Sequence, residues 1–140
     1  MSTYAFPASS LPAASRGAMA YRTVETQSRS PLELVVMLYD GGIRFLTEAR
    51  EANERKDMVA RAVAVSKSLA IVGELSNTLN LDEGGKVALE LDRLYDYMMV
   101  RLLDVTTKRD TSGLEEVQRL LTTLREAWAQ VTTAQSPPRP

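Results

Sequence analysis

Few residues in this chain could do chemistry. Its 140 residues include no cysteine and no histidine, so it has no thiolate nucleophile, no imidazole base and no imidazole or thiolate metal ligand. That excludes disulfide scaffolds, Cys/His zinc sites, histidine phosphorelay bundles and Glu-x-x-His di-metal bundles. Carboxylates remain. Glu90, Asp92 and Asp96 fall close together on one helical stretch, where such groups pair with arginines or form a solvated face. The one Gly-Lys step, in Glu83-Gly84-Gly85-Lys86-Val87, lacks the spacing of a phosphate loop and the Ser or Thr that should follow the lysine, and reads as a helix-ending turn. Gly-x-Ser-x-Gly is absent. We assign no catalytic, cofactor-binding or metal-ligating residue, and the chain reads as a non-enzyme.

The positioning elements are helices. Ser30-Pro31-Leu32-Glu33 is an entry signal. Ser30 can accept from a free amide of the first turn, Pro31 suits the first helical position, and Glu33 can reach back to close a capping box. The helix that follows, from Pro31 to about Glu54, carries apolar groups over roughly 200° of its circumference, where a surface helix needs a little over ~100°. Val35, Tyr39, Leu46 and Ala49 lie near the centre of that arc. Leu34, Leu38, Phe45 and Ala52 mark one edge, and Leu32, Val36 and Ile43 the other. A second helix from about Met58 to Leu79, with Asp57 placed to cap it, has Ala62, Val65, Leu69, Val72, Leu75 and Leu79 on one face. A third from about Gly85 to Lys108 has Val87, Leu91, Leu94, Met98, Leu102 and Val105. A fourth, capped by Asp110 or by Ser112 with Glu115, has Leu114, Val117, Leu121, Leu124, Trp128 and Val131. These steps of three and four are the seams of a helical bundle.

Turns of a few residues make sequential helices antiparallel. The expected fold is all-α, an antiparallel four-helix bundle over residues 31–133. It follows an Ala/Ser/Pro-rich disordered arm at 1–16 and a leader at 17–30 that can dock through Met19, Tyr21 and Val24, and it ends in a Pro-rich tail at 134–140. A hydrophobic fraction of 44% and a charged fraction of 25% are those of a globular domain, and a net charge of −1 leaves no electrostatic footprint for nucleic acid or an anionic membrane. No apolar run approaches the ~20 residues of a membrane span, and no secretory signal opens the chain. The absence of cysteine fits the cytoplasm.

The surplus apolar surface is the functional lead. Off the core faces lie Ala60, Ala64, Ser68 and Ile71 on helix two, and Leu89, Tyr97, Val100 and Leu103 on helix three. Such strips suit an amphipathic helix as partner. They equally suit a tightly packed bundle or a homodimer, and the residues alone leave these open.

Several stretches, in order and spacing, resemble the flagellin export chaperones of the FliS family. These are Ala20-Tyr21 with Val24-x-Thr26, Ser30-Pro31-x-Glu33-Leu34, Met37-Leu38-Tyr39-Asp40-Gly41 and Phe45-Leu46. Further on come Ile71-Val72-x-Glu74-Leu75, Gly84-Gly85, Leu94-Tyr95-Asp96-Tyr97-Met98 and Leu124-Arg125-Glu126-Ala127-Trp128. The resemblance spans about residues 17 to 131, with Gly42 where alanine is commoner, Arg29 interrupting the small run before Ser30, and a leader longer than usual. It implies a cytoplasmic four-helix bundle that binds the disordered C-terminal segment of flagellin, blocks premature polymerisation and delivers it to the flagellar type III export gate, without cofactor or ATP. It also implies a leader anchored by Tyr21 and Val24 that covers part of the groove. On this reading the client contacts are Ala64, Ser68 and Ile71, then Leu89, Val100 and Leu103, with Leu34, Leu38 and Phe45 at the helix-one edge. The competing reading is a helical chaperone or dimeric module for another secreted or structural partner.

Overall fold

The computed structural model describes residues 31–135, with side chains from 32 to 130. The expected Ser30 cap, the arm, the leader with Tyr21 and Val24, the Val131 side chain and the last five residues lie outside the described residues. Within them are four helices: α1 (Pro31–Glu54), α2 (Met58–Thr78), α3 (Leu81–Thr107) and α4 (Ser112–Gln135). Each packs on its sequence neighbours and α1 closes on α4, so α1 and α3 stand diagonally opposed in an antiparallel bundle.

The ends of the helices follow from local chemistry. After α1, the Asp57 amide donates to the Ala52 carbonyl and the Lys56 amide to that of Asn53, with Lys56 left-handed at φ 60°. This is a Schellman ending built on a lysine instead of a glycine. The Asp57 carboxylate then accepts from the Ala60 amide at 3.0 Å and starts α2, as the sequence suggests. The start of α3 differs from expectation. Asn80 caps a helical turn by accepting from the Glu83 amide, and the break comes after it, at Gly85. There φ 56° and ψ −131° are open to glycine alone. Of the two caps proposed for α4, Asp110 acts: its Oδ1 accepts from the amide and hydroxyl of Ser112. Glu115 instead turns outward toward Arg50 and Arg119.

The core runs the length of the bundle through Leu46 and Ala49, Val65 and Val72, Met98, Leu102 and Val105, and Leu114, Val117 and Leu121. Burying each of the larger side chains contributes about 1.5–3 kcal/mol. Three expected positions need correction, Val87 on the core face and Ala64 and Ser68 off it. Val87 is 63% exposed and lines an open cavity at the end of the bundle. On α2 the inward face is centred on Ala64 and Ser68, which are 4% and 0% exposed. The small residues lie inside because α1 comes close here. A Cβ on Gly42 would sit 3.2 Å from Ile71 Cγ2, and the Ser68 hydroxyl is satisfied by the Ala64 carbonyl at 3.0 Å.

At the centre, the hydroxyls of Tyr39 on α1 and Tyr95 on α3 hydrogen-bond across the diagonal, and the Trp128 indole N–H of α4 also donates to Tyr39. Burial raises both phenol pKa values, so the trio stays neutral. Tyr39→Phe, which removes the hydroxyl that both Tyr95 and Trp128 pair with, should cost about 1–3 kcal/mol in urea denaturation. Tyr95→Phe should cost less, and the double variant less than the sum of the two. Gly113→Ala would bring a Cβ to 2.9 Å from the Arg101 carbonyl oxygen. It should lose about 1–3 kcal/mol despite alanine's better helix propensity.

Candidate functional site

α3 has two faces. Ala88, Tyr95, Met98, Leu102 and Val105 point inward and are buried, while Leu89 (44% exposed), Val100 (56%) and Leu103 (49%) point away from the core. These three are the sequence-predicted partner residues that stand open. Between them and α4 lies a polar clamp. Arg101 donates from Nε to Glu116 at 2.6 Å, from Nη1 to Asp110 at 2.9 Å and from Nη2 to Ser112 at 2.9 Å. The Tyr97 hydroxyl donates to the other Glu116 oxygen. Arg101, then Tyr97, holds the Glu116 carboxyl below its usual pKa. Ser112, then Arg101, does the same for Asp110, while Glu116 pushes the Tyr97 phenol up.

The other predicted residues lie elsewhere. Leu34, Leu38 and Phe45 are half-buried. Leu38 packs against the core, and the Phe45 ring is flanked by the cations of Arg44 and Lys67 at 5.0 and 5.5 Å. Ile71 is half-buried over Gly41 and Gly42. Ala64 and Ser68, predicted as an open docking strip, are enclosed in the core, so they are withdrawn as surface residues. The predicted set therefore forms no single strip: the α1 residues and the α3 trio belong to diagonally opposed helices.

Sequence reasoning missed an apolar patch at the start of α2, with Met58 54%, Val59 76% and Val63 49% exposed. Val59 and Val63 share the outward face of α2 with Ser66 and Ala70, four and three residues apart, a pattern legible once the core face is correctly phased. It also missed the buried Arg61, which is 7% exposed and donates from Nη1 to Asn53 Oδ1 at 2.8 Å. At the opposite end of the bundle, an open cavity of ≈ 650 Å³ reaches down to Tyr95 and Trp128 between Leu32, Val35, Leu75 and Leu91. A polar cleft of ≈ 630 Å³ lies beside the Arg101 clamp, lined by Arg50, Arg119 and Glu115 among others. Among the described residues no group of three or more side chains is placed to hold a metal ion, and no helix is long and apolar enough to cross a membrane.

Fold and site thus define an all-α bundle with apolar faces beyond its core. The family model described as "Flagellar protein FliS" matches residues 14–135, and the chain belongs to the FliS family, a family of non-enzymatic chaperones. It is 39% identical over 121 residues to the flagellar secretion chaperone FliS of Salmonella typhimurium, covering 83% of this chain and 90% of the relative. It is 36% identical over 104 residues to the flagellar secretion chaperone FliSB of Pseudomonas aeruginosa, covering 74% and 82%. With FliS of Bacillus subtilis the identity is 35% over 111 residues, covering 79% and 82%. Membership carries a role in flagellum biogenesis, with a flagellar protein as partner.

The clamp gives a pH prediction. Asp110 and Glu116 ionise more readily in the folded chain than unfolded, so they add stability above about pH 4–5 that is lost as pH falls through their depressed folded values. Arg101→Leu should lower the urea midpoint at pH 7 and flatten its fall toward pH 3. An unchanged pH slope would remove the clamp as its source.

Proposed function

We propose that this chain binds the C-terminal segment of flagellin in the cytoplasm, keeps it from polymerising before export, and presents it to the flagellar export gate. The observation that carries this reading is the outward apolar trio Leu89, Val100 and Leu103 on a helix whose opposite face is already committed to the core. Family membership narrows the partner to a flagellar protein, and an apolar helical face suits a chain that folds as it binds. Such a client loses conformational freedom worth ~2–5 kcal/mol or more and recovers it by burying ~1,000–3,000 Å². To touch both α3 and the Leu34, Leu38 and Phe45 edge of α1, it must wrap past α2, which suits a long segment better than one short helix. The chain supplies surface and no bond chemistry.

The leader fits the same scheme. Leu32, just after the leader joins α1, lines the end cavity, and Tyr21 lies eleven residues before it. At ~3.3 Å per residue that length spans the cavity mouth. A leader anchored there by Tyr21 and Val24 would cover apolar surface until a client arrives.

Mixing the full chain with a flagellin C-terminal peptide should raise helix content by circular dichroism. Val100→Glu and Leu103→Glu should weaken peptide binding tenfold or more, about 1.4 kcal/mol, with unchanged urea midpoints. Ile71→Glu is a poorer probe because that side chain supports the α1–α2 packing. Unaltered peptide affinity in both α3 variants, or no gain of helix on mixing, would overturn the reading.

A further inference from the structure

The outward face of α3 is more regular than a scatter of apolar residues. Lys86, Leu89, Arg93, Asp96, Val100 and Leu103 recur at steps of three and four, and all six are exposed. Such spacing makes one continuous stripe that a second helix can follow. The stripe lies wholly past the break at Gly85, so it runs along one uninterrupted helix. Its middle is charged. Arg93 and Asp96 stand between Leu89 and Val100, three residues apart, yet neither side chain makes a hydrogen bond or ion pair among the described residues. By contrast Asp40, which follows Tyr39 on α1 as Asp96 follows Tyr95 on α3, is held by Arg125 at 2.8 Å. Arg101, on the flank toward α4, is held by Asp110 and Glu116.

Apolar contact alone does not fix an alignment. A client helix held only by Leu89, Val100 and Leu103 could slide by a turn or reverse at small cost, because burial is non-directional. Two opposite charges at set places in the stripe remove that freedom. A matching side chain is paired there and a like charge is repelled. The stripe also has a sense along its length. Lys86 and Arg93 occupy its first half, and Asp96 begins the second. A helix is partly positive at its N-terminus and partly negative at its C-terminus. An antiparallel client therefore brings its negative end toward Lys86 and Arg93.

We propose that Arg93 and Asp96 set the direction and register of the client, which lies antiparallel along α3 with an acidic side chain against Arg93 and a basic one against Asp96. In the client's own sequence the basic residue then comes first and the acidic one follows three or four positions later. The inference rests on the outer face of α3 being the client face, and adds to it which alignment is accepted. Exposed ion pairs contribute little affinity, so the apolar residues supply the strength and the two charges the selection.

A charge-reversal cycle between the full chain and a flagellin C-terminal peptide tests it, read by isothermal titration calorimetry. Arg93→Glu and Asp96→Lys should each weaken peptide binding about threefold to tenfold, with unchanged urea midpoints. In the peptide, each acidic residue is replaced in turn by lysine and each basic residue by glutamate. One acidic position should regain affinity when its replacement meets Arg93→Glu, and one basic position when its replacement meets Asp96→Lys. That basic position should precede the acidic one by three or four residues. Val100→Glu and Leu103→Glu separate the two ways of failing. If they weaken binding while both charge variants bind as the wild-type chain does, or while no peptide replacement rescues either, the alignment is overturned and the client face stands. A rescued acidic position that precedes the basic one would overturn the antiparallel direction. If the two apolar variants also bind as the wild-type chain does, the client face falls and the alignment with it.

Discussion

Two tyrosine hydroxyls meeting on the bundle diagonal are the constraint on which the rest depends. A buried phenol oxygen without a partner costs more than its hydrogen bond returns, so Tyr39 and Tyr95 must face each other at one level. That fixes the rotation and height of α1 against α3. Trp128 adds α4 to the same junction through its indole N–H. Hydrophobic burial supplies most of the driving force, but apolar contact is non-directional. The polar junction selects one register among packings of similar area.

Once α3 is fixed in rotation, its outer face follows. Tyr95, Met98 and Leu102 turn inward, so Leu89, Val100 and Leu103 must turn outward. Arg101 occupies the flank against α4 and ties it to Asp110, Ser112 and Glu116. The same helix can therefore present apolar surface without losing its place in the bundle. On the α1–α4 side the surface is of another kind, with Arg125 on Asp40 and Gln118 on Thr47 and the Ile43 carbonyl. Polar pairs thus tie α4 to both of its neighbours, and apart from Met37 the exposed large apolar side chains are on α2 and α3.

Much of this fold was legible in the sequence, for identifiable reasons. The limits of α1, the Asp57 cap and the seam of α4 were carried by local signals that packing does not override. The repeated Leu-Tyr-Asp of α1 and α3 was visible as a pattern, but pairing its tyrosines needs the diagonal arrangement. The errors share a cause: side-chain size was read as depth. In the tight α1–α2 seam the deep residues are small, so Ala64 and Ser68 seemed to lie off the core when they are in it. At the open end a large residue, Val87, lines a cavity and stays exposed. Arg61 escaped notice because a buried guanidinium carries no periodic signal. Leu89, Val100 and Leu103 were legible as outward residues because α3 spends a whole, regularly spaced face on its core.

The central claim is that the outer face of α3 receives a helical partner while the core behind it stays intact. Methyl-resolved NMR of the full chain, titrated with a flagellin C-terminal peptide, tests it most directly. The account predicts that the methyl signals of Leu89, Val100 and Leu103 shift or broaden with added peptide while those of Leu102 and Val105 hold their positions. Saturable binding that leaves the outer methyls untouched, or that disturbs the core methyls first, would contradict it.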